Sequence, residues 1–238
     1  MIKSERRKEH DRQLCLLSPV WGLKYVTVYG AQKSRRAVKA SLYTEAVFHI
    51  YDNRERHQAS LVDLNIISIH ENCLSSLQTS FAASLMSEIV LTQRGEDSLA
   101  HYDLISRCFD LLSEDNYRII VIQFVIRVLA TAGLVTDFTH CPVCGRAYAD
   151  DEILGFDSSL ASPCCHTCDT MNSGLILPPN ARRYIRDSLS CQLPQALGFI
   201  LSENMQRRLL RYVIRLYDSA CSVMLKSAAA LLELDSLD

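Results

Sequence analysis

The sequence predicts an α+β protein in which a small N-terminal β-barrel is followed by an α-helical domain with an inserted four-cysteine ribbon. Three observations lead to this prediction. Short strand-like runs fill the chain up to about residue 70, apolar residues recur at helical spacing after residue 72, and two Cys-x-x-Cys pairs lie twenty residues apart. The predicted domains are 1–71 and 72–238, with the ribbon at 138–176.

Three runs rich in β-branched and aromatic residues predict the first domain. They cover residues 23–29, 42–51 and 60–69, and the polar connections 32–39 and 52–58 separate them. Several short strands with turn signals between them, and no helical pattern, are typical of a small all-β barrel.

An apolar stripe at steps of three and four residues predicts the first helix of the second domain. Asn72 is its expected N-cap, because asparagine side chains accept hydrogen bonds from the free N–H groups at a helix start. The residues predicted to face inward are Leu74, Leu77, Phe81, Leu85 and Ile89.

Further helical segments complete the predicted domain. One helix is expected to start at Ser98, and another to run from Asn116 to Gly133, where a glycine suits a helix C-terminus. The latter helix is apolar on nearly every side and is therefore predicted to lie at the centre of a bundle. Residues 203–232 predict one long helix or two. The expected inward face comprises Leu210, Ile214, Tyr217, Cys221, Met224 and Ala228.

Positive charge is concentrated near the start of the chain. Residues 1–40 hold ten Lys and Arg against three acidic residues, a net charge of +7, although the whole chain carries −2. The rest of the chain therefore carries −9. This asymmetry predicts a polyanionic partner for the N-terminal part. The alternative is a basic surface that meets only solvent.

The sequence contains no apolar run at its start that resembles a signal peptide, and its most apolar stretch, 119–129, is too short to cross a bilayer. Ten cysteines without a secretion signal indicate a reducing compartment, where clustered cysteines bind metals more often than they form disulfides. We therefore expect a cytoplasmic protein with no membrane partner.

The two Cys-x-x-Cys pairs predict a metal site. Cys141 and Cys144 form the first pair, Cys165 and Cys168 form the second, and each pair presents two thiolates from one tight turn. Two such turns complete a tetrahedral Zn²⁺ shell. Because four protein ligands leave no position for water, one structural zinc ion is predicted. The alternative is that the cysteines pack as small apolar side chains.

Neighbouring residues leave the ligand register open. Cys164 is able to replace Cys165, and His140 or His166 is able to replace a cysteine, although the x2 spacing of both pairs is preferred. A zinc deaminase is disfavoured, because Thr167 stands where the second cysteine of its Pro-Cys-x-x-Cys element belongs and no His-x-Glu precedes it.

Catalytic motifs are missing from the sequence. No pattern typical of nucleotide-binding loops, α/β-hydrolases or zinc proteases occurs. Glu9 and Asp11 are expected to be surface or turn residues, because a nuclease site needs several converging carboxylates. The sequence therefore predicts a protein that is not an enzyme. A metal-dependent nucleic-acid enzyme is the catalytic alternative.

A basic loop at 32–39 follows a strand that contains Tyr25 and Tyr29. Cations that track phosphates and rings that stack on bases suit single-stranded nucleic acid. The two tyrosines are equally compatible with a core position. The predicted DNA contacts are Arg12, Lys24, Lys33, Arg35, Arg36 and Lys39.

A second basic feature is a stripe in the C-terminal helical segment. Arg207, Arg211 and Arg215 recur every four residues beside Leu210 and Ile214. Because guanidinium groups pair with carboxylates, this stripe is a predicted docking site for an acidic, apolar peptide. The alternative is a solvated helix face.

In this order, the pieces resemble the RecO family of bacterial DNA repair and recombination mediators. The similarity spans nearly the whole chain, and the ribbon is its one specific motif. The segments that carry it are Glu9-x-Asp11-Arg12, Leu17-Ser18-Pro19-x-x-Gly22-Leu23, Gly30-Ala31 with the basic loop, Leu129-x-x-x-Gly133-Leu134, and the two cysteine pairs with Gly145.

The resemblance implies an N-terminal OB-fold β-barrel that binds single- and double-stranded DNA and anneals complementary strands. It also implies RecR and the C-terminal tail of single-strand-binding protein as partners, help in loading RecA, and a place at the nucleoid in the bacterial cytoplasm. Two features depart from the family pattern: the first barrel strand is short, and the loop cations after Gly30-Ala31 are shifted. The rival interpretation is a zinc-ribbon protein-interaction module without a direct role at DNA.

Overall fold

A computed structural model of the protein describes residues 1–7, 10–31, 41–53, 55, 58–93, 98–135, 137–169 and 174–237. The chain divides into two compact units. The first comprises Met1–Ala83 and Val90–Ser113, and the second comprises Ser84–Ile89 and Glu114–Asp238. The domain division predicted from the sequence, 1–71 and 72–238, stays a prediction.

A five-stranded sheet forms most of the first unit. The strands are β1 (Lys3–Arg6), β2 (Arg12–Ser18), β3 (Gly22–Val28), β4 (Thr44–Asn53) and β5 (Gln58–Ile69). Their order across the sheet is β1-β2-β3-β5-β4, with β3 and β5 parallel and the other neighbours antiparallel. Alternating residues of β2 and β3 face a small core that includes Leu14, Leu16, Val26 and Val28.

This sheet confirms the α+β class, with strands followed by helices. The predicted OB-fold β-barrel is not confirmed, because no ladder between described residues joins β1 to β4 and closes the sheet. The two edges do approach each other at one point, where the backbone N–H of Tyr43 donates to the carbonyl of Met1 at 2.9 Å.

The first helix of the chain begins later than the sequence predicts. Asn72 lies in a 3-10 turn (Glu71–Leu74), and its side-chain amide donates to the carbonyls of Phe109 (2.6 Å) and Leu112 (2.8 Å) at the end of α2 (Ser98–Leu111). It therefore does not cap α1 (Leu77–Thr92).

Ser76 and Thr79 hold the start of α1 instead, through reciprocal side-chain-to-backbone hydrogen bonds of 3.1 and 3.2 Å. The predicted inward face is correct for Leu85 and Ile89, which are buried, and wrong for Leu74 and Leu77, which are exposed. Leu74 precedes α1 and Leu77 is its first residue, so neither lies on the buried face that later residues of the helix form.

A central helix organises the second unit. Helix α3 (Tyr117–Thr131) has twelve of its fifteen residues buried, as its all-round apolar sequence predicts. Gly133, with φ +68°, follows its end, and the N–H of Leu134 donates to the carbonyl of Leu129 at 2.8 Å. Elsewhere in the described part of this unit lie a hairpin of β6 (Gly155–Asp157) and β7 (Ser162–Cys164), and the helices α4 (Pro179–Leu189), α5 (Leu193–Ala196), α6 (Glu203–Cys221) and α7 (Lys226–Leu237).

The C-terminal helical segment is two helices, because the chain turns at Ser222, whose φ of 52° lies in the left-handed region. Of the predicted inward face, Leu210, Ile214, Tyr217 and Ala228 are buried and Cys221 is half-buried. Met224 lies in the connection between the helices and is 82% exposed, so its predicted inward position is wrong.

A buried ion pair joins the two ends of the second unit's helical core. The guanidinium of Arg118 on α3 binds the carboxylate of Asp235 on α7, and the hydroxyl of Tyr117 donates to the same oxygen at 3.0 Å. The Asp235 side chain is fully buried. A charge in this position is stable only while its partner is present.

We expect Asp235→Ala to destabilise the second unit by about 3–5 kcal/mol, because Arg118 would stay buried without its carboxylate. Urea denaturation followed by far-UV circular dichroism measures the change. Arg186→Met, which removes the exposed pair with Asp187, is the matched control and should leave the unfolding midpoint nearly unchanged. Equal stability of the Asp235→Ala variant and the wild type would contradict this account of the core.

Candidate functional site

Four cysteines of the second unit converge on one point. The sulfurs of Cys141, Cys144, Cys165 and Cys168 all lie within 4.8 Å of one another. The Cys144 and Cys165 sulfurs are 3.9 Å apart. Tetrahedral Zn–S bonds of about 2.3 Å place sulfurs about 3.8 Å apart, so this arrangement fits a metal ion of that size. The described residues contain no other cluster of this kind.

Two tight turns bring the sulfurs together. In the first, Gly145 adopts a left-handed φ of +75°, and its N–H donates to the carbonyl of Cys141 at 2.8 Å. In the second, the N–H of Cys168 donates to the carbonyl of Cys165 at 2.9 Å within a 3-10 turn (His166–Cys168). Each turn points two thiol groups to the same side of the chain.

Backbone N–H groups at the cluster stabilise a thiolate. Burial opposes ionisation of the Cys141 thiol, but N–H groups of Cys165, Cys144 and Val143 outweigh it and lower its pKa to about 6. Hydrogen bonding to Cys165, together with burial, raises the pKa of Cys168 to about 12. A bound metal ion would take the place of the protons that its thiolate ligands give up.

The structure separates the cluster from the alternative ligands. Cys164 is buried outside it, and burial followed by the charge of Asp169 raises the pKa of this thiol to about 11. His140 is exposed and lies 2.8 Å from the Thr139 hydroxyl and 3.3 Å from the carboxylate of Asp137. His166 is exposed. The structure thus brings together the two x2 pairs.

Contacts outside the cluster hold the ribbon in shape. The guanidinium of Arg146 binds both carboxylate oxygens of Glu152. The hydroxyl of Tyr148 donates to the carbonyl of Pro163 at 2.8 Å. Arg182 on α4 donates to the carbonyls of Ala149 (2.7 Å) and Asp150 (2.9 Å), so the ribbon is anchored to a helix of the same unit.

The predicted DNA contacts lie in the first unit. Arg12 is exposed on β2 and stands directly opposite Arg6 of β1, which is also exposed. Ser4 and Ser41 line the same hollow. Two facing guanidinium groups could both donate to one bound anion. Arg6 contributes to the sequence's charge excess, but only the strand register identifies it as Arg12's neighbour.

Lys24 is engaged within the protein. Its ammonium lies 2.5 Å from the carboxylate of Asp52 and 5.2 Å above the ring of Trp21. Its charge is therefore already partly compensated. Lys33, Arg35, Arg36 and Lys39 lie outside the described residues, and so their predicted roles stay predictions.

Both tyrosines of the predicted stacking surface are exposed, Tyr25 by 51% and Tyr29 by 61%. This excludes the core position that the sequence left open. Asp11 has a turn-forming role, since its carboxylate accepts the N–H of Gly30 at 3.0 Å. Glu9 lies outside the described residues.

The arginine stripe lies on α6. Arg211 and Arg215 are exposed, and Arg207 is half-buried. The Nε of Arg207 is buried and has no hydrogen-bond partner among the described residues. A buried unpaired donor favours an external acceptor.

The sequence match that decides the family covers α2 and most of the second unit. The family model described as "Recombination protein O C terminal" matches residues 74–229. This chain belongs to the RecO family. A curated relative, DNA repair protein RecO of Clostridium novyi (strain NT), is 25% identical over 150 residues, which is 61% of this chain. The match covers 59% of that relative's length, less than two thirds.

Membership of the RecO family supports a role in DNA repair and recombination, and the match includes the ribbon cysteines and α3. Within the described part of this RecO family chain, no helix has the length and apolar character needed to span a membrane.

We expect the purified protein to hold about one metal ion per chain, and Cys144→Ser to remove it, because a three-thiolate shell binds far more weakly. Elemental analysis by mass spectrometry measures the metal content. Cys164→Ala, outside the cluster, is the matched control and should retain the metal.

Chelation is expected to loosen residues 140–175 locally, because α3 and its neighbours form a core that does not include the cluster. Hydrogen exchange with mass spectrometry resolves the affected segment. Loss of protection throughout α3 would show that the helical core depends on the metal.

Proposed function

We propose that this protein is a non-enzymatic mediator of DNA repair and homologous recombination. It binds single- and double-stranded DNA through its sheet unit, anneals complementary strands, and helps to load RecA on DNA coated with single-strand-binding protein. Family membership and the name of the Clostridium novyi relative support the repair role. The charge of the N-terminal part supports direct contact with DNA.

The sheet unit is proposed to be an OB-fold. Its strand order β1-β2-β3-β5-β4, with the parallel β3–β5 pair, is the order of such a barrel, and the hydrogen bond from Tyr43 to Met1 lies where the barrel would close. OB-folds bind single strands with a charged groove and exposed aromatic rings.

One observation carries the DNA proposal most directly. Arg6 and Arg12 face each other across β1 and β2, at the end of the sheet from which the chain leaves toward the basic loop 32–39. Two guanidinium groups that face each other on neighbouring strands offer several N–H donors to one phosphate. Tyr29 adds an exposed ring in the turn after β3, and a ring of this kind stacks on bases. Tyr25 is exposed too, but it alternates with the core-facing residues of β3 and therefore lies on the sheet face opposite to Arg12.

The cysteine cluster is proposed to hold one structural Zn²⁺. Four thiolates form a closed shell, which leaves no position for a reacting water. The ion would supply positive charge that neutralises Cys141, Cys144, Cys165 and Cys168 and would fix the two turns against each other. In this proposal the metal braces the ribbon, and the residues that meet DNA lie in the other unit.

Partners are proposed from the same chemistry. The α6 stripe of Arg207, Arg211 and Arg215 supports docking of the acidic, apolar C-terminal tail of single-strand-binding protein. RecR is proposed as a second partner, and RecA as an indirect one. The proposed location is the bacterial cytoplasm, at the nucleoid.

Removing two loop cations should lower the affinity for DNA and also make that affinity less sensitive to salt concentration. For Arg35→Ala/Arg36→Ala, we expect the slope of log affinity against log salt on single-stranded DNA to become shallower by about 1.4, because two phosphate contacts are lost at about 0.7 each. Fluorescence anisotropy between about 50 and 200 mM salt measures this change.

Arg107→Ala/Arg183→Ala is the matched control, since it removes two exposed arginines elsewhere and should leave the slope unchanged. Unchanged DNA affinity of the loop variant would favour the rival function, a zinc-ribbon protein-interaction module. A strand-annealing assay on DNA coated with single-strand-binding protein then tests the mediator role itself. Magnesium-dependent turnover of DNA would instead indicate an enzyme.

A further inference from the structure

A pocket of about 170 Å³ opens between the sheet and α2 within the first unit. Apolar and aromatic side chains form most of its wall, which is the usual composition of a ligand pocket. Its size suits one aromatic ring or one branched aliphatic group, because a cavity of about 150 Å³ accommodates benzene. The pocket is distinct from the metal cluster and from the Arg6–Arg12 hollow.

The floor of the pocket is rigid. Tyr43 and Phe109 meet edge to face with ring centroids 4.9 Å apart, and both are buried. Tyr43 also has a φ of 62°, a left-handed backbone conformation that is unfavourable for a bulky residue. Strained residues of this kind concentrate at ligand sites, where the surrounding structure holds them in place.

Glu45 is the one acidic side chain among the described residues that line the pocket. Glu45 accepts a hydrogen bond of 2.6 Å from the hydroxyl of Tyr102 through one oxygen. No Lys or Arg is among the described residues that line the pocket. The buried backbone nitrogen of Met1 donates to the carbonyl of Thr44 at 2.7 Å. Glu45 is the side chain of this pocket with which a cationic group of a ligand would pair.

The rim extends the apolar surface outward. Val20 and Trp21, at the turn between β2 and β3, are 79% and 66% exposed, and Trp21 also lines the pocket. Hydrogen bonds of 3.2 and 3.3 Å from the backbone N–H groups of both residues to the Ser18 hydroxyl fix this turn. A fixed apolar rim beyond the pocket offers more contact area than one small molecule covers, and therefore favours a peptide.

We propose that this pocket binds a segment of a partner protein in which an aromatic or branched aliphatic residue stands next to a lysine or arginine. The apolar side chain enters the pocket, and the cation pairs with Glu45 at its edge. The Glu45 carboxylate attracts a cation, whereas it repels the phosphates of DNA. The site therefore serves a protein contact, separate from the proposed DNA surface.

Trp21 is the only tryptophan in the chain, so its fluorescence reports occupation of the pocket directly. The probe is the blocked tetrapeptide Gly-Phe-Arg-Gly, titrated into the full-length protein. Its charge-reversed twin, Gly-Phe-Glu-Gly, is the matched control. We expect the arginine peptide to bind about tenfold more tightly or better, the effect of one charge-assisted hydrogen bond. Equal affinity of the two peptides, or no response to either, overturns the proposal.

Two pocket variants and one control variant test where the peptides bind. Glu45→Gln keeps an acceptor for Tyr102 and should abolish the preference for the arginine peptide, while Asp103→Asn, an exposed carboxylate that does not line the pocket, should keep it. Ser106→Leu fills the pocket from α2 and should remove binding of both peptides. Circular dichroism and thermal midpoints establish that each variant is folded.

The outcomes separate this site from DNA binding. Glu45→Gln is expected to leave the affinity for single-stranded DNA unchanged, so failure of the peptide test leaves the proposed DNA function standing. Phenethylamine serves as a free amine without a peptide backbone. A response to phenethylamine with none to the arginine peptide would overturn the peptide assignment, as would peptide binding that Ser106→Leu does not affect.

Discussion

The second unit depends on the burial of one helix, α3, from all sides. A helix that is apolar around its whole circumference is stable only where other elements cover every face. Three polar side chains of α3 then bind α4, its C-terminal end and α7, and so fix the positions of these helices. Arg118 binds Asp235 of α7, Gln123 donates to the Tyr184 hydroxyl of α4 at 2.8 Å, and Arg127 donates to the carbonyls that end α4. Burial provides the stability, and these bonds specify the arrangement.

The ribbon joins this core without being part of it. Arg182 ties it to α4, and Phe156 meets Tyr212 of α6 edge to face at 5.7 Å. Its own interior is small and consists largely of sulfur, which gives little apolar burial. A bound metal ion would supply the cross-link that such a short segment lacks. Ligand geometry would then take the place of a core, as in many small metal-braced modules.

The sheet unit has only a small apolar core, and charged side chains lie exposed at the rim of its sheet. Arg6 and Arg12 are held opposite each other by strand register. The same unit places a carboxylate, Glu45, in an aromatic pocket. One small sheet thus offers surfaces of opposite sign, suited to different partners.

Features that depend on local spacing could be predicted from the order of the amino acids. The two x2 cysteine pairs, the buried α3 with its terminal Gly133, and the α+β order all follow from periodicity and turn chemistry within short windows. Features that depend on distant residues became visible only in three dimensions. The folded chain excludes Cys164 from the cluster, binds Asn72 to Phe109 and Leu112 instead of to the start of α1, and pairs Lys24 with Asp52. Each of these outcomes depends on a partner many positions away, and no local pattern encodes it.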